Sequence, residues 1–287
     1  MKSLKFILGA ASSLLLSCTG GGDAPAPTQV HTRICAGTTK AAAGPQDSGL
    51  YPVLWQEGDR ISVNGNLSRP LGASFAGSGE AVFSFSGFSS AAPFNMLYPG
   101  SMDATVELDG ATPAMYAVNQ SLDEVAQFHQ LTAGIYVELY GKLSLSSLTL
   151  ESLGGEAPGG TFSVAFPSGA LSAASSAGSL ERTFASPASL SMDAPLAVCW
   201  YIKPGTYAKG LSLSARSPQG TVLSWSFGFG KTLETGKMYK LDPVSFVSPV
   251  PNLPDDTDDP DDPVYPADGG IPVSLEEMTE IDYGYEL

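Results

Sequence analysis

Short segments in which apolar and polar residues alternate recur through residues 50–247, and this pattern most constrains the fold. A period of two places one face of an extended segment in a core and the other in water, which is typical of antiparallel sheets. Gly, Pro, Asn and Asp separate the segments at turn spacing. The pattern therefore predicts an all-β body. The alternating segments are 81–88, 131–140, 143–146, 148–150, 161–166, 211–215 and 223–229.

Two further segments bear on the organisation of the body. Residues 196–202 are apolar on both faces, which predicts a central strand. Residues 121–127 carry a weak helical signal, with Ser121 as N-cap and Glu124 three residues later, and we expect one or two helical turns there. The length fits two β-sandwich domains better than one, and we place them at 30–120 and 121–248.

The charge distribution limits the classes of partner. The 287 residues include 14 basic and 29 acidic residues, and twelve of the acidic residues lie in 251–287 together with no basic residue. So few cations predict that the chain does not bind nucleic acid, since phosphate contacts need Lys and Arg. Two His and three Cys leave few metal ligands, so we predict no metal site and no cofactor apart from a covalent lipid.

The N-terminus is typical of an export signal. Lys2 and Lys5 precede an apolar stretch at 6–16, which is too short to span a bilayer, and Cys18 follows. The sequence 15–18 (Leu-Leu-Ser-Cys) resembles the bacterial lipobox, in which the Cys is lipidated. We predict a lipoprotein signal peptide at 1–17, a lipid on Cys18 and a flexible tether at 18–29. An ordinary signal peptide with a chance Cys is the alternative.

Export also permits disulfides, because the destination is oxidising. With Cys18 lipidated, Cys35 and Cys199 remain as a possible pair. Two buried thiols that form no bridge are the alternative, which we favour slightly.

The C-terminal region divides into a spacer and an apolar end. Residues 249–270 are rich in Pro and Asp, which predicts a disordered, extended linker; calcium binding is the less favoured reading of its Asp cluster. Residues 271–287 alternate again, and we predict that they form a strand that docks on a neighbouring subunit or partner. Docking on the same chain, or a disordered tail, is the alternative. The alternating apolar residues are Ile271, Val273, Leu275, Ile281, Tyr283, Tyr285 and Leu287.

Six motifs occur in order over residues 51–247, and together they resemble the fimbrillin family, which comprises lipoprotein pilins and related surface proteins of Gram-negative anaerobes. The first has the form W-x-x-G-D-x-I-x-V and the last the form G-x-x-Y-x-L. The motifs lie at 55–63, 94–99, 113–120, 128–137, 202–207 and 236–241.

This resemblance implies two tandem antiparallel β-sandwiches of transthyretin-like or Greek-key type on an outer membrane lipoprotein, exposed at the cell surface in a fimbrium. It implies that a protease removes the first strand and that a C-terminal strand of another subunit fills the vacated groove. The family's cut often follows a basic residue, which makes Arg33 and Lys40 candidate maturation sites. The implied partners are other fimbrial subunits or copies of this chain, the outer membrane through the lipid, and an unidentified adhesion target.

We therefore predict a structural or adhesive fimbrial subunit. The alternative is a cell-surface lipoprotein that does not polymerise and binds glycan or protein, with Trp200, Tyr201 and Trp225 as an aromatic platform. We predict that the chain is not an enzyme, because we find no nucleophile motif and no catalytic triad in a plausible local context.

Overall fold

The computed structural model describes residues 27–35, 53–228 and 230–246, together with the backbone of 276–277. The all-β prediction is confirmed over this part of the chain, whose only helical element is the 3-10 turn Ala73–Phe75. The strands in chain order are β1 (Thr28–Ile34), β2 (Ser62–Val63), β3 (Asn66–Leu67), β4 (Glu80–Phe85), β5 (Phe94–Tyr98), β6 (Thr105–Leu108), β7 (Met115–Asn119), β8 (Ala126–Gln130), β9 (Ala133–Gly141), β10 (Ser144–Ser152), β11 (Gly159–Ala165), β12 (Ala170–Ala177), β13 (Ser179–Ser189), β14 (Leu196–Ile202), β15 (Gly205–Tyr207), β16 (Leu211–Arg216), β17 (Val222–Phe227), β18 (Lys231–Leu233), β19 (Met238–Lys240), β20 (Val244–Phe246) and β21 (Glu276–Glu277).

The N-terminal part of the chain forms one seven-stranded sheet in the order β3-β2-β5-β7-β8-β1-β4. Its core is built around Trp55, which is fully buried. The rings of Phe83, Tyr98 and Phe128 meet the indole edge-on, with centroids 5.1, 5.2 and 5.5 Å away. These side chains come from β4, β5 and β8, so one aromatic cluster ties together strands that are distant in sequence.

The C-terminal part consists mainly of two sheets that face each other. One has the order β14-β9-β19-β21 and the other the order β13-β10-β16-β17. Side chains of both sheets contribute to a single core cluster, including Val137 of β9, Leu148 of β10 and Leu213 of β16. The predicted alternation produces this arrangement, because every second residue of each strand points towards the facing sheet.

Three strand pairs are parallel, whereas the alternating sequence pattern predicted antiparallel sheets. β1 pairs with β8 in parallel, and β9 pairs in parallel with both β19 and β20. Parallel neighbours need a long connection between them, and in each of these pairs the two strands lie far apart in sequence. Alternation within a strand does not encode this direction, since it is the same for both kinds of pair.

The prediction that 196–202 forms a central strand is wrong, because among the described strands β14 lies at the end of its sheet next to β9, and its other side makes a single bridge, from Tyr201 to Gly110. It is apolar on both faces because both are covered: Trp200 points into the main core and Tyr201 into a smaller cluster. Arg182 covers the open edge, since its guanidinium donates to the carbonyls of Cys199 (2.7 Å) and Gly110 (3.1 Å) and stacks on Trp200 at 5.0 Å.

A third sheet, β12-β11-β6, combines β6 from the predicted first domain with two strands from the predicted second. A small apolar cluster containing Leu97, Leu131 and Phe162 lies beside it. The predicted boundary at residues 120 and 121 falls between β7 and β8, which pair with each other. The two main core clusters draw on separate stretches of chain, 30–128 and 133–246, and the division into two domains stays a prediction.

The helix predicted at 121–127 is absent. The Ser121 hydroxyl accepts a hydrogen bond from the backbone N–H of Asp123 at 3.1 Å, which closes a turn. β8 begins at Ala126, whose side chain is fully buried in the N-terminal core. Ser121 therefore does accept a backbone hydrogen bond, as an N-cap would, but it closes a tight turn. Ser side chains favour both helix N-caps and turns.

Candidate functional site

β1 is seated inside the N-terminal sheet with a neighbour on each side. It pairs with β4 in antiparallel register from Thr28 to Arg33 and with β8 in parallel from Thr32 to Ile34. Val30, Thr32 and Ile34 are buried, and the residues between them are exposed. The Thr32 hydroxyl donates to the carbonyl of Ala81 at 3.1 Å. This first strand therefore fills a groove between two other strands.

Of the two predicted maturation residues, Arg33 lies in the part of the chain that the structure describes and Lys40 does not. Arg33 lies within β1 on its exposed face, where its guanidinium is 2.6 Å from Glu80. The peptide after it is tied to the sheet, because the N–H of Ile34 donates to the carbonyl of Gly79 at 2.9 Å. Lys40 lies outside the described residues, beyond the end of β1.

β19 offers the second edge of interest. One side of β19 pairs with β9, and the other pairs with the two-residue strand β21, in which Glu277 is opposite Tyr239 and Glu276 opposite Lys240. These two residues belong to the predicted donor segment 271–287, and the structure places their backbone antiparallel on the same chain's sheet. The seven alternating apolar residues of that segment lie outside the described residues.

The first motif of the resemblance is built into a turn rather than a reactive site. Gly58 adopts a φ of +87°, which favours glycine, and the Asp59 carboxylate accepts hydrogen bonds from the N–H of Gln56 (2.7 Å) and the hydroxyl of Tyr98 (2.9 Å). Burial raises the pKa of Asp59, and these two hydrogen bonds partly oppose that rise. Burial and the nearby Asp59 also raise the pKa of Tyr98. Gly58 and Asp59 therefore act as a turn pair.

No disulfide joins the two candidate cysteines. The Cys35 thiol lies 3.4 Å from the side-chain oxygen of Gln127 and 4.0 Å from Nε2 of His129. Cys199 is buried in a small cluster with Tyr136 and Met238. Burial raises the pKa of the Cys35 thiol, and the charge of Arg33 partly opposes this. The possible bridge is thus not formed in this structure.

A cleft of about 690 Å³ lies where the three sheet regions meet, and we call it the junction cleft. Its size is within the range of ligand sites. Tyr116 and His129 stand on one wall, with ring centroids 5.9 Å apart. The lining residues are Cys35, Tyr116, His129, Gln130, Leu131, Ser168, Gly169, Ala170, Leu171, Lys203, Pro204, Thr235, Gly236 and Lys237.

The charge of the junction cleft has one sign. Lys203 and Lys237 are its charged lining residues, and no Asp or Glu is among the described residues that line it. The Lys203 ammonium lies 5.7 Å from the ring of Phe162, and the Lys237 ammonium is 3.4 Å from the carboxylate of Glu234. Sequence reasoning did not pair the two lysines. They lie inside the motifs at 202–207 and 236–241, but those motifs are far apart in sequence and neither requires a Lys at that position.

Trp200, Tyr201 and Trp225 do not form the exposed aromatic platform that was considered for the alternative function. Trp200 and Tyr201 are buried, at 0% and 2% exposure. Trp225 is half-buried, and its ring packs at 3.9 Å from the ring of Phe246. The prediction of a platform from these three residues is therefore wrong, because two of them are core side chains.

Within the described ranges, no helix is long and apolar enough to cross a membrane. The same ranges contain no group of three or more His, Cys, Asp and Glu side chains placed to hold a metal ion. The predicted signal peptide, the lipidation residue Cys18 and the acidic linker 249–270 lie outside those ranges, so they stay predictions.

No family model and no curated protein matches the chain. Several solved structures align with most of the chain. One is a candidate cell adhesion protein from Bacteroides ovatus, which is 14% identical in sequence. The alignment covers 89% of this chain and 99% of that protein, with a TM-score of 0.48. Another, from Bacteroides uniformis, is 12% identical and covers 88% and 100% at 0.45. The tip fimbrial protein Mfa3 from Porphyromonas gingivalis is 8% identical and covers 75% and 94% at 0.33. These descriptions name cell adhesion and fimbrial proteins, the class that the sequence motifs resemble.

Proposed function

We propose that this chain is a structural or adhesive subunit of a surface fimbrium, held to the outer membrane by a lipid on Cys18. In this proposal it joins other subunits by strand exchange, with residues 271–287 as the donated strand and β1 as the strand that is replaced. It acts through backbone pairing and performs no catalysis.

The observation that carries the proposal is the position of β1 between β4 and β8. Removing β1 would expose one edge of each neighbour, and it would uncover the sites now filled by Val30, Thr32 and Ile34. Open strand edges pair readily with an added strand, which gains backbone hydrogen bonds and places alternate side chains in pockets.

The C-terminal segment has the pattern that such a groove requires. Ile271, Val273 and Leu275 repeat the two-residue spacing of the buried side chains of β1, and all three are at least as apolar. A donated strand in the correct register would thus refill the groove with side chains of similar or larger size. The acidic, Pro-rich linker 249–270 would give the segment the reach to leave its own subunit.

The position of Arg33 distinguishes the two candidate cuts. A protease needs an extended, unpaired segment, and the bond after Arg33 lies in a strand paired on both sides. Lys40 follows the end of β1 in sequence, so a cut after it would separate the complete strand from the rest of the chain. We therefore favour Lys40, and we expect N-terminal sequencing of the surface form to begin at residue 41 in the wild type and in Arg33→Gln, but not in Lys40→Gln.

The test of assembly is deletion of residues 271–287, with filaments counted by electron microscopy on cells that export the protein. We expect filaments to be lost. The matched control deletes residues 255–262, which removes acidic linker while leaving the alternating segment intact, and it should leave filaments in place. Normal filaments after deletion of 271–287 would overturn the proposal.

A further inference from the structure

The junction cleft and the two-residue strand β21 are adjacent along the chain path. Thr235, Gly236 and Lys237 line the cleft, and β19 begins at the next residue, Met238. The floor of the cleft is therefore continuous with the edge on which β21 pairs.

The direction of β21 points the rest of the chain towards this cleft. Glu276 is opposite Lys240 and Glu277 opposite Tyr239, so each further residue moves back along β19. Continued register would bring residue 278 opposite Met238 and residue 279 opposite Lys237. At roughly 3.3 Å per residue, residue 280 would lie about 10 Å beyond Glu277, at the mouth of the cleft.

The charge and apolar content of residues 278–287 complement the cleft. The segment contains Glu280, Asp282 and Glu286 and no basic residue. The cleft presents the ammonium groups of Lys203 and Lys237, the second of which also pairs with Glu234, and the apolar side chains of Leu131 and Leu171. Carboxylates attract the lysines, while the intervening Ile281 and Tyr283 can bury apolar surface against the leucines.

From this placement we propose that the junction cleft binds the acidic segment 278–287 of the same chain. In the unassembled subunit the segment extends β21 past Met238 and enters the cleft, where its carboxylates contact Lys203 and Lys237. The site is a peptide-binding cleft for an acidic, aromatic-containing segment. It stores the C-terminal segment on its own subunit and is independent of whether that segment is later donated.

Single exposed ion pairs stabilise a contact by less than about 1 kcal/mol, so no one pair holds the segment. Several weak contacts suffice here because the segment is tethered, which raises its effective concentration at the cleft. The arrangement is accordingly reversible, and high salt weakens it because the charges lie near solvent.

The test is zero-length carbodiimide crosslinking of the full chain carrying Cys18→Ser, which removes the predicted lipid. The reagent joins a carboxylate to a lysine that touches it, and mass spectrometry identifies the pair. We expect isopeptide bonds from Glu280, Asp282 or Glu286 to Lys203 or Lys237, several-fold above any bond to Lys142 and Lys209, which lie outside the cleft. Equal yields at all four lysines would overturn the proposal.

Two variants provide the controls. Glu280→Gln, Asp282→Asn and Glu286→Gln together should abolish the bonds from this segment to Lys203 and Lys237, while the bond between Lys237 and Glu234, which lie 3.4 Å apart, remains as an internal reference. Asp255→Asn, Asp256→Asn and Asp258→Asn in the linker should leave the bonds from the segment unchanged. A loss in the linker variant alone would contradict the proposed occupant.

Two further measurements examine the contact itself. Raising the salt to 1 M should reduce the crosslink yield several-fold, and an unchanged yield would contradict a contact made through charge. A mixture of isotopically light and heavy chains should give bonds within one chain; bonds chiefly between chains would overturn the intramolecular assignment. These measurements use unassembled protein. The proposal that the cleft binds the segment can therefore be refuted independently of the proposal that the segment is donated in filaments.

Discussion

The two ends of the chain both meet a sheet, but in different ways. β1 has a strand on each side and buries Val30, Thr32 and Ile34. β21 pairs on one side for two residues, at the outer edge of β19. One end of the chain thus contributes a strand that is built into a core, and the other contributes a short strand that is added to an edge.

The difference shows what commits a strand to its place. Backbone pairing alone contributes little net free energy, because an open edge can also bond to water. The apolar side chains that β1 buries supply the larger part, since each full burial is worth about 1.5–3 kcal/mol. A segment that pairs only at an edge can therefore leave more easily than one whose side chains fill a core.

The largest effect should come from the core next to β1. Phe128 of β8 is fully buried and its ring lies 5.5 Å from that of Trp55. We expect Phe128→Ala to lower the free energy of unfolding by about 3–5 kcal/mol, measured by urea denaturation. Val273→Ala in the C-terminal segment should change it by less than about 0.5 kcal/mol. Similar losses in both variants would remove the contrast between the two ends.

Within β1 itself, the effect should depend on which face carries the substitution. Ile34 points inwards with 9% exposure. We expect Ile34→Ala to lower the free energy of unfolding by about 2 kcal/mol, at the low end for such changes because the residue ends the strand. His31 points outwards, so His31→Ala should cost less than about 0.5 kcal/mol. A larger loss at His31 would contradict the register of β1.

The N-terminal sheet should also show a pH dependence that originates at Asp59. Burial raises its pKa in the folded state above the usual 3.8, so the folded state binds the proton more tightly than the unfolded state does. Its contribution to stability is therefore fully present below pH 3.8 and is lost as the pH rises through the folded pKa. Asp59→Asn should remove this loss. Parallel stability curves for the two proteins between pH 3 and about 7, by urea denaturation, would contradict the assignment.

The smallest effect should come from the ion pair on the exposed face of β1. Arg33 and Glu80 have side chains that are 57% and 64% exposed. We expect Arg33→Gln to lower the free energy of unfolding by less than about 1 kcal/mol, and less still in high salt. Thermal unfolding at low and high salt measures this. A larger loss would mean that charge, rather than the buried face, holds β1 in its groove.

Local pattern predicted β4, β9, β10, β11, β14, β16 and β17, whereas other strands, such as β12 and β13, were not predicted. Particular residues show why the pattern worked where it did. Leu211–Arg216 and Val222–Phe227 are strands close to their predicted bounds, because alternation reflects a backbone period that does not depend on the neighbour. The turn at Gly58 and Asp59 was also predictable, since positive φ and side-chain capping are properties of those residue types. The junction cleft was not predictable, because Lys203, Lys237 and His129 are far apart in sequence and line the same cleft only in the folded chain.

The errors have the same origin. Residues 196–202 are buried on both faces, yet they form an edge strand, because Arg182 and the neighbouring loops cover what a strand would have covered. Ser121 caps a turn and not a helix, because the residues after it are taken into β8. In each case the sequence correctly predicted that the residues are buried or that the side chain caps a backbone N–H. It did not predict which part of the chain provides the covering or the capped group.

The sequence by itself determined that the body is made of strands and, in the alternating segments, which side chains face inwards. Those properties follow from the two-residue period of the backbone and from the transfer of apolar side chains out of water, both of which act locally. The tertiary structure alone decided the order and direction of the strands, the seating of β1 between β4 and β8, and the cleft beside β19. Strand partners are chosen by long-range packing, and the alternation of a single strand fits many possible neighbours equally well.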